Sequence, residues 1–329
     1  MNWERRRLSA IFLVTASALV SVSVAPAAAA TGSTGLANLA SAGSLQLLLD
    51  RYLGPAFVRA SGDRYQNQSA GSQGLAQEIV AGELSPNVFL PIGSAAMRLL
   101  EPRFTRWAVR FAASPLVVAY YPRGPHAGRL KQISQGKLPL KDLFTLMARP
   151  GFKLGRTDPA LDPQGQGFVE MVHLAERYLG VSPVTANADL GGASASSQIF
   201  SETGLDASLQ AGQLDAASAY LPQAVQLGMP YISLPPKINF GDPRDSPIYA
   251  RATLTLATGQ VVHGSLLDLE VSELRVGGDP GAGNAFIRFL LGSRARGILT
   301  RRGYTLLSPT LLGRRAAAPG WIRALTQKR

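Results

Sequence analysis

A loop rich in Asp and Pro carries the clearest potential chemistry in this sequence. It covers residues 155–165 and contains two Asp-Pro steps, Asp158-Pro159 and Asp162-Pro163. Proline fixes its own φ and pushes the preceding residue toward extended geometry, so the loop should be rigid. A strand-like run precedes the loop and a helical pattern follows it. The spacing therefore predicts a loop at the carboxyl end of a strand, where N–H groups of a helix start could bind an anion.

Two Gly-Ser pairs predict donors of the same kind. Gly43-Ser44 and Gly71-Ser72 each follow a strand-like run and precede a helical pattern. Serine hydroxyls and the N–H groups of helix starts are neutral donors that can hold a tetrahedral oxyanion. Each serine taken alone is more typical of an ordinary helix N-cap. Two such turns together with the Asp-Pro loop favour the binding role.

Two acidic residues and one tyrosine need a more specific explanation. A carboxylate repels an oxyanion, so Asp162 and Glu202 suit such a site only if the central atom is a metal that accepts further oxygen ligands. The alternatives are a turn-forming role for Asp162 and a first-turn acid that complements the helix dipole for Glu202. Tyr220 ends an apolar strand-like run, and its hydroxyl could donate to an anion or lie at a core position.

Along the chain, Gly43-Ser44, Gly71-Ser72, the Asp-Pro loop and Tyr220 follow one another. Motifs in this order resemble those of molybdate- and tungstate-binding proteins of ABC transporters, and of the tungstate-type branch in particular. The resemblance covers nearly the whole mature chain, including residues 111–119 and 234–239. It implies an oxyanion site in which Asp162 and Glu202 raise the coordination of Mo or W from four to six. The residues that the resemblance assigns to the site are Ser44, Ser72, Asp162, Pro163, Gln164, Glu202 and Tyr220.

The sequence departs from the family's pattern within the loop. Gln164 and Gln166 stand where the family often has Cys and Tyr, which leaves the choice between molybdate and tungstate open. Pro163 has no N–H group, so the backbone donors at this point are expected to be Gln164 and Gly165.

Strand-like and helix-like segments alternate along the chain, which predicts parallel sheets with crossover connections. The resemblance implies an α/β fold of the type II periplasmic binding protein class, with two α/β lobes, a central ligand cleft and two crossover connections. We expect lobe one to comprise residues 33–115 and 238–329, and lobe two to comprise residues 116–237.

Local patterns add three predictions. A helix that includes Leu47 and Leu53 is predicted to end near Gly54-Pro55, because Pro cannot continue the hydrogen-bond ladder. The pair Pro235-Pro236 predicts an extended connector, since it resists both a helix and a central strand. The small, polar run 191–197 predicts a flexible loop.

The first 30 residues have the pattern of a secretory signal peptide. A basic start with Arg5, Arg6 and Arg7 precedes an apolar stretch and the small residues 27–30. A transmembrane anchor and a twin-arginine signal are the alternatives. The chain has no cysteine, which excludes lipid attachment through Cys and disulfides. We therefore expect a periplasmic or secreted protein.

Composition and motifs argue against two other classes of protein. The formal net charge is +12, from 33 Lys and Arg against 21 Asp and Glu, but no basic stripe is interleaved with aromatics, so nucleic-acid binding is not expected. The three histidines are dispersed and there is no G-x-S-x-G motif or Cys nucleophile, which argues against an enzyme.

The expected function is to bind molybdate or tungstate between the lobes, as a monomer without a cofactor, and to deliver it to an ABC permease in the inner membrane. Two alternatives stay open. The chain could bind another oxyanion, such as sulfate or phosphate, or it could be a sensory periplasmic module of the same fold.

Overall fold

The computed structural model describes residues 34–185, 190 and 196–327. The predicted signal peptide at 1–30 lies outside the described residues, as does most of the loop predicted at 191–197. Within the described part of the chain, no helix is both long and apolar enough to cross a membrane.

Thirteen strands are described. They are β1 Leu36–Ala42, β2 Arg64–Ala70, β3 Val88–Leu90, β4 Trp107–Ala113, β5 Leu116–Tyr120, β6 Leu154–Thr157, β7 Ile199–Phe200, β8 Ala216–Tyr220, β9 Tyr231–Ser233, β10 Thr253–Thr255, β11 Val261–His263, β12 Asp268–Glu273 and β13 Thr305–Gly313.

Fifteen α-helical segments accompany these strands in the described residues. They are α1 Gln46–Leu48, α2 Gly54–Ser61, α3 Ser72–Ala81, α4 Ser94–Leu100, α5 Ala127–Ser134, α6 Lys141–Met147, α7 Pro163–Leu179, α8 Pro183–Thr185, α9 Glu202–Gln210, α10 Leu221–Leu227, α11 Pro236–Asn239, α12 Ser246–Tyr249, α13 Pro280–Leu291, α14 Ser293–Arg301 and α15 Gly320–Leu325.

The strands form two larger sheets and one hairpin. The first sheet has six strands in the order β13-β4-β12-β3-β1-β2, and the second has five in the order β7-β6-β8-β5-β9. Strand β1 is parallel to β2 and β3, and β6 is parallel to β7 and β8. Strands β10 and β11 pair separately. The predicted parallel pairing is therefore present in both sheets, alongside antiparallel partners such as β5 and β8.

The chain passes between the two sheets twice. It leaves the six-stranded sheet after β4 and enters the other sheet at β5, and it returns between β9 and β12. Every strand of the five-stranded sheet lies within residues 116–233. The lobe boundaries at 115/116 and 237/238 stay predictions.

Two local predictions differ from the structure. The helical backbone does not end at Gly54-Pro55 but continues through a π-helical turn, Leu49–Leu53, into α2. Pro55 lies in the first turn of α2, where its missing N–H is tolerated. Phe57 holds the extension in place, since it is fully buried with its ring centroid 5.2 Å from that of Phe286. Likewise Pro236 begins the short helix α11 instead of an extended segment.

The start of α7 packs directly on the end of β6. A Cβ atom added to Gly165 would lie 2.1 Å from the carbonyl oxygen of Thr157. Only glycine therefore lets the first turn of α7 approach the strand this closely. This contact fixes where the Asp-Pro loop places its side chains.

We expect Gly165→Ala to lower the free energy of unfolding by about 1–3 kcal/mol, because the added methyl overlaps a backbone atom that cannot move aside easily. Gly74→Ala in α3 is the matched control. A Cβ there has no neighbour within 4 Å, and alanine favours a helix interior by roughly 1 kcal/mol. Urea unfolding of both variants should show opposite signs, and a Gly165→Ala protein as stable as the wild type would contradict the packing argument.

Candidate functional site

The predicted site residues lie where parallel strands end. Strands β1 and β2 lead into Gly43-Ser44 and Gly71-Ser72, and β6, β7 and β8 end beside Asp162, Glu202 and Tyr220. The carboxyl ends of parallel strands lie at one edge of a sheet, and ligands bind there in open α/β folds. The topology thus brings together side chains that are far apart in sequence.

Asp162 is the N-cap of α7. Its backbone is extended, with φ −139° and ψ 126°, and its Oδ1 accepts a hydrogen bond of 2.8 Å from the N–H of Gln164. The carbonyl oxygen of Leu161 accepts hydrogen bonds from the N–H groups of Gln73 and Gly74, at 3.1 and 3.2 Å. The Asp-Pro loop is therefore hydrogen-bonded to the start of α3, the helix that follows strand β2 of the six-stranded sheet. These two bonds join the loops that follow the two sheets at the site.

Glu202 approaches the other Gly-Ser turn. It is the first residue of α9, whose N-cap Ser201 accepts a hydrogen bond from Gly204 N–H at 3.2 Å. A Cβ added to Gly43 would lie 2.1 Å from Glu202 Oε2. A Cβ added to Gly71 would similarly lie 2.5 Å from the carbonyl oxygen of Leu161. Both glycines thus permit a close approach between the two sheets' loops, beyond forming a turn.

Between these loops lies a cavity of about 390 Å³. Gly43, Gly71, Thr157, Asp162 and Glu202 are among the residues that line it. Its walls therefore combine the turns that follow β1 and β2 with the carboxyl groups that follow β6 and β7.

Four buried polar atoms in this region have no hydrogen-bond partner within the described residues. They are Ser44 Oγ, Thr157 Oγ1, Tyr220 OH and Glu202 Oε1. Buried polar groups are nearly always paired in folded proteins, and leaving one unpaired costs about 1–3 kcal/mol. Three hydroxyl donors and a carboxyl oxygen that converge without partners indicate a binding site for a ligand with several oxygen atoms.

Burial shifts the ionisation of both carboxyl groups. It raises the pKa of Asp162 to about 6, although the hydrogen bond from the Gln164 amide lowers this pKa in part. Burial also raises the pKa of Glu202 well above its ordinary value, and the neighbouring charges of Asp162 and Asp206 raise it further. The pKa of the Tyr220 hydroxyl rises for the same reasons, burial first and then the charges of Asp162 and Glu202. These groups therefore share one electrostatic environment.

The remaining predicted residues are placed as follows. Ser72 is fully buried, and its Oγ accepts a hydrogen bond of 3.2 Å from the N–H of Ile92, so the hydroxyl proton is still free to be donated. Pro163 is buried at the first position of α7. The N–H of Gln164 is bonded to Asp162, and its side chain is bonded to Gln223 and Ser218. Gln164 thus supports the site from behind.

That support extends through Gln223. Its Oε1 accepts from Gln164 Nε2 at 3.0 Å and from the N–H of Tyr220 at 3.3 Å, and its Nε2 donates to Asp206 at 2.8 Å. One buried amide therefore links α7, α9 and α10, the helices that carry or follow Asp162, Glu202 and Tyr220.

Two residues near the site were not predicted. Thr157 precedes the first Asp-Pro step. The sequence feature that could have identified it is a hydroxyl residue at the end of a strand. Tyr304 lies just before β13, and burial raises its pKa, as does the charge of Glu202. A Cβ at the adjacent Gly303 would lie 3.4 Å from Pro222 Cα in α10. No local motif marks Tyr304, because its position depends on this long-range contact.

The acidic pair does not form a metal site of the usual kind. Across the described residues, no group of three or more His, Cys, Asp or Glu side chains is arranged to hold a metal ion. Two carboxyl groups such as those of Asp162 and Glu202 could complete the coordination of a metal that brings most of its oxygen ligands with it.

A third buried carboxyl lies in the same helix as Asp162 but outside the cavity. Glu170 is 1% exposed, and its Oε1 accepts a hydrogen bond of 2.9 Å from Gln166 Nε2. Burial raises the pKa of Glu170 from 4.5 to about 8, although the bond from Gln166 lowers it in part. The folded protein therefore keeps this proton over a pH range in which the unfolded chain releases it.

We expect Glu170→Gln to stabilise the protein increasingly as pH rises from 4.5 to about 8. In the wild type, Glu170 does not reduce the free energy of unfolding below its unfolded pKa of 4.5. As the pH rises from there toward the folded pKa of about 8, the free energy of unfolding falls, because the unfolded chain releases a proton that the folded protein keeps. The gain at pH 8 should be on the order of 2–4 kcal/mol. Urea unfolding from pH 4.5 to 8.5, with the exposed Glu83→Gln as control, measures it. A gain that is independent of pH would contradict this account.

Several known proteins resemble this chain in sequence. A family model described as "Bacterial extracellular solute-binding protein" matches residues 37–305. The "Putative ABC transporter molybdenum-binding protein" of Haloferax volcanii is 32% identical over 228 residues, which are 69% of this chain and 68% of that protein. The "Molybdate/tungstate-binding protein WtpA" of Pyrococcus abyssi is 24% identical over 266 residues, which are 74% of this chain and 75% of that one.

A solved structure gives the fold. The periplasmic molybdate-binding protein of Azotobacter vinelandii superposes with a TM-score of 0.55 at 17% identity, covering 82% of this chain and 98% of that one. At this identity the likeness concerns the fold alone. It confirms the predicted α/β fold class of periplasmic binding proteins.

Proposed function

The chain belongs to the bacterial extracellular solute-binding protein family, and we propose that it binds molybdate or tungstate in the cavity between its two sheets. The proposal includes delivery of the anion to an ABC permease, from the periplasm or the cell exterior. The protein itself performs no catalysis in this proposal and acts as a monomer.

The observation that carries the proposal is the mixture of buried polar groups around Asp162 and Glu202. The hydroxyls of Ser44 and Tyr220, which have no hydrogen-bond partner among the described residues, are donors that suit the oxygens of an anion. Asp162 and Glu202 are acceptors that would repel those oxygens. The two sets are compatible when the anion has a central metal of high valence, since carboxylate oxygens can then bind the metal while hydroxyls bind its oxo groups. Sulfate and phosphate offer no such centre.

Contacts between the sheets explain how the ligand would favour the closed arrangement. The Leu161 carbonyl is bonded to the start of α3, and Glu202 lies against Gly43 and close enough to Ser44 for the Ser44 hydroxyl and amide to lower its pKa. A ligand that is bound by groups from the loops of both sheets makes all of its contacts only when these loops lie close together. Such differential contact shifts the population toward the closed state, which a permease can distinguish.

Isothermal titration calorimetry with tungstate, molybdate, sulfate and phosphate tests the proposal. We expect the first two to bind and the last two to bind at least about 100-fold more weakly, because they lack a metal for the carboxylates. Sulfate or phosphate binding without tungstate binding would favour the alternative of another oxyanion. If the cognate ABC permease does not take up the anion from the ligand-bound protein, the alternative of a sensory module is favoured.

The carboxyl groups are tested separately. Glu202→Gln and Asp162→Asn should each weaken tungstate binding by about tenfold or more, and the tungsten X-ray absorption spectrum should change from six-coordinate toward four-coordinate. Glu170→Gln is the matched control, since it neutralises a buried carboxyl outside the cavity and should leave both readouts unchanged. Four-coordinate tungsten in the wild type would rule out the role of both carboxylates as ligands.

Gly43→Ala should weaken tungstate binding by about tenfold or more while the ligand-free protein stays folded. The added methyl would occupy the position of Glu202 Oε2, whereas Gly43 has no positive φ and its backbone accepts alanine. Titration calorimetry and thermal unfolding measure the two effects, with Gly128→Ala in α5 as the control, since a Cβ added there has no neighbour within 4 Å. Wild-type affinity in Gly43→Ala would show that the contact with Glu202 is not needed for binding.

A further inference from the structure

Thr157 lines the cavity and carries a buried hydroxyl that the proposed function does not yet use. The residue is 1% exposed and its Oγ1 has no hydrogen-bond partner within the described residues. Its hydroxyl lies near enough to the Asp162 carboxyl to lower the pKa of that group, without forming a well-directed hydrogen bond to it. Since Asp162 Oδ1 already accepts from Gln164, the threonine is not needed to cap α7.

Three constraints hold this hydroxyl in place. Thr157 ends β6, which pairs with β7 through Thr157 and Phe200. Gly165 lets α7 press against the carbonyl group of Thr157. A β-branched side chain also has few χ1 choices, so the hydroxyl cannot readily turn toward a different partner. A rigid strand end therefore presents a donor beside Asp162 at the wall of the cavity.

The chemistry beside Asp162 calls for such a donor. A carboxylate that binds the central metal must lie close to at least one oxo group of the same anion, and the two sets of lone pairs repel each other. A hydroxyl between them can donate to the oxo group and reduce this repulsion. Its fixed orientation means that little entropy is lost when the ligand binds.

We propose that the Thr157 hydroxyl donates a hydrogen bond to the bound oxyanion, at the oxygen that lies next to Asp162. The inference rests on the proposed function and adds a binding residue to it. It also predicts a trade between affinity and stability, because a buried hydroxyl without a protein partner destabilises the ligand-free protein.

The test compares three variants by calorimetry with tungstate and by thermal unfolding without ligand. Thr157→Val keeps the shape of the side chain and removes the hydroxyl, and we expect at least about tenfold weaker binding together with an equal or higher Tm. Thr157→Ser keeps the hydroxyl and should bind within about threefold of the wild type. Thr255→Val is the control, since Thr255 is an exposed strand residue of β10 outside the cavity and its variant should bind tungstate like the wild type.

The outcomes separate this inference from the proposed function. Weaker binding at equal or higher Tm, restored by serine, supports a donor role, because a purely structural residue would lose affinity and stability together. Wild-type affinity in Thr157→Val overturns the inference and leaves the proposed function intact. A lower Tm with equal loss of affinity in the valine and serine variants also overturns it. Absence of tungstate and molybdate binding in the wild type overturns the proposed function, and the inference with it.

Discussion

Two carboxyl groups buried beside each other set the main constraint on this structure. Asp162 and Glu202 come from different helices, and burial raises the pKa of both. Like charges in a poorly solvated place are costly, so the site is favourable only if protons or a ligand offset them. A simple oxyanion would add to the cost. A metal oxyanion can reduce it, because the carboxylates then face a high-valent centre. In the proposed function, the hydroxyls of Ser44 and Tyr220 would donate to the same ligand.

The rest of the fold serves to place these groups without side chains in the way. Gly43 and Gly71 are open enough for Glu202 and the Leu161 carbonyl to come within contact distance, and Gly165 lets α7 reach the end of β6. The parallel strands of each sheet deliver five loops to the same region. Behind them, Gln223 ties three helices of the five-stranded sheet together. Backbone proximity, more than charge pairing, thus determines the shape of the site.

How much of this could be predicted from sequence depends on the range of the interaction. The Asp-Pro loop is governed by local backbone preferences, so its place between β6 and α7 was predicted from the sequence, although α7 begins at Pro163 and not after residue 165. The helix extension past Pro55 could not be foreseen, since it depends on Phe57 meeting Phe286. Gly43 and Gly71 were predicted as turn residues, yet their steric role becomes visible only when the opposite loop is in place. Tyr304 likewise reaches the site through contacts with no local pattern.

The unpaired hydroxyls and the close glycine contacts describe two sides of one energetic balance. With the loops together, Ser44, Thr157 and Tyr220 hold buried donors that lack partners in the described part of the chain, and each such group costs about 1–3 kcal/mol. The bond from α3 to the Leu161 carbonyl and the packing around the glycines oppose that cost. A ligand that accepts from all three donors would remove it, so its binding energy and the closure energy are coupled. If these donors were paired within the protein, the closed state would form without ligand, and a permease could not distinguish the ligand-bound protein from the ligand-free one.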